Sequence, residues 1–215
     1  MDIKLNFINN SNDQNNSEIV FFQKNVASDF NDTIVAWKVV KNCATGWHHN
    51  FNFTDEMAIS ATDSWGNEIV SPIPACNGQS FYVFKDSSGD QLAYNGQEAN
   101  KDEVELKNDL TTGSISANIY KGGKLLATKT GVSPGQKAAF QFKPSLWVAV
   151  VSQVQEGEIM NSAIISDINT ELSLLGLESA DIVMTGGGIG PNASKLEFAL
   201  ENIKYDIMWK ERNPS

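Results

Sequence analysis

Apolar and polar side chains alternate in short runs along most of this chain. Through Ser114–Tyr120, Ile115, Ala117 and Ile119 fall on one face of an extended backbone, and Ser116, Asn118 and Tyr120 on the other. That period of two marks a half-buried β-strand. Lys121-Gly122-Gly123-Lys124 follows, and its glycines accept the positive φ angles of a two-residue hairpin. A partner strand is predicted over 125–130, and Pro134-Gly135 suits the centre of a type II turn. Phe140 and Phe142 share a face opposite Gln141 and Lys143, and Leu146 to Val151 reads as an apolar strand.

The same alternation predicts strands elsewhere. Ile3, Leu5 and Phe7 define a first strand over 2–8, and an asparagine-rich polar loop follows over 9–17. Further strands are expected at Ile19 to Gln23, Thr33 to Val40, 57–62 and Ser80 to Lys85. Asp86-Ser87-Ser88-Gly89-Asp90 forms a hairpin turn into Gln91 to Tyr94, and Val104 and Leu106 alternate with Glu103, Glu105 and Lys107. Strands are read at about 163–168 and 170–175, with a short helix within 159–177 as the alternative, because 161, 164, 165, 168 and 172 share one helical face. Ile182 to Met184 and Leu196 to Ile203 form a closing hairpin.

The expected fold class is all-β: an antiparallel β-sandwich of about ten to thirteen short strands with little helix. One domain is expected over 1–208, with a short charged C-terminal tail over 209–215. Val148 to Val151 and Ile164 to Ile168 read as apolar edges with little charge to gate them. Such edges predict a homo-oligomer that covers them.

Charge narrows the function classes. The 215 residues carry a net charge of −10, and Arg212 is the only arginine among 16 basic residues. Arginine supplies the planar fork that grips phosphate and guanine. A negative field with a single fork is a poor basis for nucleic-acid binding or phosphoryl transfer. The N-terminus lacks a signal-peptide pattern and no transmembrane segment is predicted. The expected location is therefore cytoplasmic, or outside the cell after release without a signal peptide. Cys43 and Cys76 are expected as two reduced thiols.

Candidate chemistry concentrates at Gly46-Trp47-His48-His49-Asn50-Phe51, read as a loop that holds both histidines. In a loop, His48 and His49 with Glu56 compose a two-histidine, one-carboxylate set suited to Zn or Fe. The plainer reading is a polar loop with aromatics packed at a sheet end. Trp47, His48, His49 and Phe51, with Trp65 near in sequence, also compose a ligand-binding set, because aromatic faces stack on sugar rings and sit at membrane interfaces. The glycine run Thr185 to Asn192 lacks the Lys-Ser/Thr of a phosphate loop and reads as a turning connection. The turn at 86–90 lacks the bidentate glutamate of a calcium loop. No Gly-x-Ser-x-Gly elbow occurs.

An acidic, asparagine-rich β-sandwich without a leader is similar in type to small bacterial and fungal proteins of the aegerolysin kind. That likeness implies lipid binding and pore formation with a partner; it transfers no site residue, and this chain is longer. The function expected first is a non-catalytic binding or self-assembling protein that needs no cofactor. Its expected partners are itself, lipid, glycan or another protein. A membrane- or glycan-interacting, toxin-like role is one version. The alternative is a metal-dependent enzyme centred on His48, His49 and Glu56.

Overall fold

The computed structural model describes residues 2–13, 17–27, 34–98, 100–160 and 169–212. Strand accounts for 62% and helix for 5%, in four mostly antiparallel sheets. This is the all-β, sandwich-like class that the alternation predicts. Among the described residues the strands are β1 (Ile3–Asn9), β2 (Glu18–Phe22), β3 (Ile34–Val35), β4 (Lys38–Val40), β5 (His48–Phe53) and β6 (Met57–Thr62). There follow β7 (Glu68–Ala75), β8 (Gln79–Asp86), β9 (Gly89–Gln97), β10 (Val104–Asn108), β11 (Ile115–Lys121) and β12 (Lys124–Val132). The last are β13 (Lys137–Phe140), β14 (Ser145–Val151), β15 (Ile159–Met160), β16 (Asn169–Ser173), β17 (Leu177–Gly187) and β18 (Ser194–Tyr205), before one short helix, α1 (Ile207–Arg212). These eighteen strands exceed the expected number, mainly because β5, β7 and two-residue strands were not legible as alternation.

The chain clusters into two compact units. The first comprises Met1–Phe22, Ala36–Asp55 and Pro144–Ser215; the second comprises Gln23–Val35 and Glu56–Lys143. The chain leaves one unit for the other in mid-pattern, so no linker composition marks the change. The strand expected over Thr33 to Val40 shows this. It breaks at Ala36-Trp37, with β3 pairing β12 in the second unit and β4 pairing β2 in the first.

The first unit holds two four-stranded sheets, in the orders β18-β17-β1-β5 and β16-β14-β2-β4. Phe7 of β1 meets Phe21 of β2 edge-on at 5.9 Å, and Phe21 lies 4.9 Å from Phe51 of β5. Trp37 packs edge-on against Phe51 and Phe53. Aromatic pairs at these separations add to the burial of their area. β14 pairs β2 on one side and β16 on the other. Val148 to Val151 is therefore within a central strand and not an edge, and Val148, Ala149 and Val151 are buried. The strand expected at 163–168, and the edge Ile164 to Ile168, lie outside the described residues. The strand expected at 170–175 is present as β16.

The second unit contains the sheet β13-β10-β8-β9 and the strand order β3-β12-β11-β6-β7. Ile115, Ala117 and Ile119 are buried, as their alternation requires. Gly122 and Gly123 have φ of 57° and 74°, the pair of positive values a tight hairpin turn demands. Gly135 has φ 81°, and the Gln136 amide donates to the Ser133 carbonyl at 2.9 Å, closing the type II turn. Asn108 is fully buried; its Nδ2 donates to the carbonyls of Gly113 and Val132, and its Oδ1 accepts the Leu110 amide. Glu105, which alternates with Val104 and Leu106, is buried as they are. Lys137 of β13 compensates it with an ion pair at 2.5 Å, and that hydrogen bond raises the lysine pKa. β7 is an edge strand carrying Pro72 and Pro74, which remove donors from the open side.

The glycine run ends β17 as a turn, with close backbone approach as its reason. A Cβ on Gly186 would lie 2.1 Å from the Lys195 carbonyl oxygen, and one on Gly187 would lie 2.9 Å from the Asn12 backbone. The expected tail also has structure. Asp206 caps α1 through the Trp209 amide, and the Trp209 ring stacks on Tyr205 at 5.0 Å. No helix among the described residues is long and apolar enough to cross a membrane.

Gly186→Ala is expected to cost at least about 3 kcal/mol in urea unfolding, since rigid backbone must move to admit the methyl. Gly123→Ala meets open space at its hairpin, so it costs only the left-handed penalty of about 1–2 kcal/mol. Equal losses at the two positions would contradict the close-approach account.

Candidate functional site

Burying Leu5 and Phe7 of β1 turns Lys4 and Asn6 to the opposite face of the sheet. β5 runs antiparallel beside it with Phe51 opposite Leu5, Asn50 opposite Asn6 and Asn52 opposite Lys4. On the other side, β17 runs parallel and sets Ser179 beside Lys4 and Asp181 beside Asn6. β18 completes the face with Lys204 opposite Ser179 and Glu201 opposite Asp181. Two polar rows therefore cross the four strands. Along one lie Asn52, Lys4, Ser179 and Lys204; along the other lie Asn50, Asn6, Asp181 and Glu201.

The second row is joined by hydrogen bonds. Asn6 Nδ2 donates to Asp181 Oδ1 at 2.9 Å, and Asn202 Nδ2 donates to Asp181 Oδ2 at 2.7 Å. Asn202 reaches Asp181 because β18 bulges there. Ser179 pairs with Lys204 and Asp181 with Glu201, so two steps on β17 face three on β18. Asn202 takes up the extra length at φ 49°, a left-handed conformation that asparagine tolerates better than most residues. Asn6 Oδ1 is closed to solvent and has no hydrogen-bond partner. A buried acceptor left open costs about 1–3 kcal/mol and calls for a reason.

Above these rows lies an open trough of about 440 Å³, lined by Lys4, Asn6, Asn50, Asn52, Asp181, Asn202 and Lys204 among others. That volume falls within the range of about 300–1,000 Å³ typical of small-molecule sites. Its lining is unusual for such a site: amides, one carboxylate and two ammonium groups, with Leu5, Phe51 and Ala180 as its apolar members. Groups of this kind exchange hydrogen bonds with hydroxyls and carbonyls.

The site residues expected from sequence divide. The expected loop is strand β5, so His48 and His49 point to opposite faces. His48 lies on the trough face, with its Nδ1 3.3 Å from Asn6 Nδ2, a hydrogen bond when that nitrogen carries no proton. His49 sits opposite Phe7 on the face that carries the core, at its exposed end. Among the described residues no three His, Cys, Asp or Glu side chains gather to hold a metal ion, so His48, His49 and Glu56 are not brought together as a Zn or Fe set. Phe51 is half-buried in the aromatic core and its ring is closed in by Phe21, Trp37 and Lys38.

Trp47 stands out at 63% exposure. The turn before it is held from below. Buried Asn9 donates through Nδ2 to the Cys43 carbonyl at 2.6 Å, its Oδ1 accepts Ser11 Oγ at 2.6 Å, and Thr45 Oγ1 donates to the Ser11 carbonyl at 2.7 Å. Partial burial raises the Cys43 thiol pKa, and both cysteines are free. Trp65 belongs to the second unit, at the tip of the β6–β7 hairpin, and is 89% exposed. Asp63 organises that tip. Its Oδ1 accepts the amides of Trp65 and Asn67, both at 2.8 Å, and its Oδ2 accepts Asn67 Nδ2 at 2.9 Å. These donors, Asn67 foremost, lower the Asp63 pKa.

Lys4, Asn6, Asn50, Asn52, Asp181, Asn202 and Lys204 were not singled out by sequence. A signal was present in β5, where Asn50 and Asn52 alternate with Phe51 and Phe53, and in β1, where Asn6 lies between Leu5 and Phe7. Nothing in the sequence joined those positions to 179–204. Comparison with known protein families, with curated proteins and with solved structures found no match.

Trp47→Ala is expected to change unfolding free energy by no more than about 0.5 kcal/mol, the range of exposed substitutions, while Phe51→Ala costs about 2 kcal/mol or more. Asp63 has a lowered folded pKa, so its support of the tip is present above the ordinary value of 3.8 and is lost as pH falls through the folded value. The Trp65 indole resonance is therefore expected to hold its position down to pH near 3.8 and to shift only in more acidic solution. A shift completed well above that pH would show that Asp63 does not hold the turn.

Proposed function

We propose that this is a non-catalytic binding protein whose trough takes a hydroxyl-rich ligand, a glycan. The observation that carries this reading is the Asn6–Asp181–Asn202 hydrogen-bonded network in the floor of the open trough. A saccharide presents donors and acceptors together on one rigid ring. Its hydroxyls donate to Asp181, which ionised is an acceptor only, and accept from amide Nδ2 groups. Carbonyl and amide ends on Asn50 and Asn52 extend the same exchange along β5. The strain at Asn202 supports the reading, since left-handed non-glycine backbone concentrates where side chains are aimed for a purpose.

Trp65 favours a second contact in the other unit. An indole so exposed on a turn so constrained suits the headgroup region of a lipid surface. Cosedimentation with uncharged phosphatidylcholine vesicles tests it: binding lost in Trp65→Ala supports this contact, and no pelleting of the wild type removes it.

For the glycan reading, array screening followed by calorimetry is the experiment. Asp181→Ala is expected to weaken a hit by about 1.5–3 kcal/mol, the worth of hydrogen bonds to a charged group. Asn202→Gly is expected to hold or raise stability by up to about 1 kcal/mol while weakening the same hit, because glycine relieves the left-handed strain and deletes the amide. An array with no binding, or hits indifferent to Asp181→Ala, would sink the proposal.

A further inference from the structure

The two rows of the trough differ in charge, and the difference points to a narrower class of ligand. Lys4, Ser179 and Lys204 are neighbours across three adjacent strands. Strands lie about 4.8 Å apart, so the two lysine Cα atoms are separated by about 10 Å with a serine hydroxyl between them. Among the described residues no carboxylate lies in ion-pair reach of Lys4 or Lys204. Other lysines do have carboxylate partners: Lys38 with Glu156, Lys41 with Glu18, Lys85 with Asp90, Lys107 with Asp109 and Lys137 with Glu105. In a chain with 26 acidic and 16 basic residues, two ammonium groups flanking one trough without an acidic partner stand against the overall balance.

We propose that the trough selects a saccharide bearing a carboxylate, with the acid group set between Lys4 and Lys204 and the ring hydroxyls on Asp181 and Asn202. This rests on the glycan reading above and adds the class of sugar. The spacing fits. Residues two apart on a strand are separated by about 6.7 Å, so the ammonium row and the amide–carboxylate row stand one pyranose ring with its substituents apart. Asp181 does not bar an acid sugar, because its two oxygens are each engaged by an amide and it faces the hydroxyl end. Asp181 and Glu201 stand in the other row about 6.7 Å away, so preference for an acid group comes from the direct contact of the two lysines with it and not from a net positive trough.

The test is a glycan array and calorimetry in which each carboxylated saccharide is paired with its methyl ester. Esterification removes the charge and keeps the ring. The acid form is expected to bind about tenfold tighter than its ester at low salt, and the advantage should shrink as salt is raised. In Lys4→Gln/Lys204→Gln the two forms should bind alike, at the strength of the ester. Both positions are exposed, so folding is not at risk. In Asp181→Ala both forms should weaken together. Acid and ester binding equally to the wild type, or an acid preference that survives the double lysine substitution, would overturn the inference and leave the glycan reading standing. Binding of neither form, and of no neutral saccharide on the array, would overturn both.

Discussion

The contact of Phe7 with Phe21, continued through Phe51 to Trp37, fixes the first unit. It joins β1 of one sheet to β2 of the other and draws β5 into the same core. A strand has only two faces, and a slip of one residue exchanges them. With Leu5 and Phe7 committed inward, Lys4 and Asn6 have no choice but the outer surface. The same argument sends Asn50 and Asn52 outward on either side of Phe51. The polar trough is the reverse side of an aromatic core, and its register is set by the core.

Local alternation made much of this legible. The hairpin at Gly122-Gly123, the type II turn at Pro134-Gly135 and the buried face of β11 follow from residues in direct succession. Failures came where a neighbour in space decides. Val148 to Val151 looks like an ungated edge until β16 and β2 are seen on its two sides. Glu105 alternates with Val104 and Leu106 and yet is buried as they are. His48 and His49 look like a loop pair because the glycine and tryptophan before them mask a strand start; the hydrogen bonds of Asn9 and Ser11, far away in sequence, create that start.

The trough was the least legible feature for the same reason. Its floor joins Asn6 to Asp181, 175 residues apart, and depends on a bulge that no composition announces. A single asparagine in a left-handed conformation on β18 turns its amide onto a carboxylate of β17, the strand beside β1. Had β17 and β18 paired without interruption, Asn202 would have followed the strand's plain alternation and Asp181 would lack its second amide. Irregular pairing, which costs the sheet a regular ladder, is what shapes the surface here.

The interleaving of the two units has a consequence for how the chain is made. β1 leaves the ribosome well before its partner β17 and the bulged β18. Its pairing with β17 joins residues 175 apart, as Asn6 to Asp181, and closing so large a loop makes folding slow. The second unit, drawn mostly from the single stretch Glu56–Lys143, has no such wait. During synthesis β1 and β2 must remain unpaired with the C-terminal strands while the middle of the protein is already complete. A chain cut short before β17 therefore carries no trough at all, so that the polar surface exists only on molecules whose translation ran through β18.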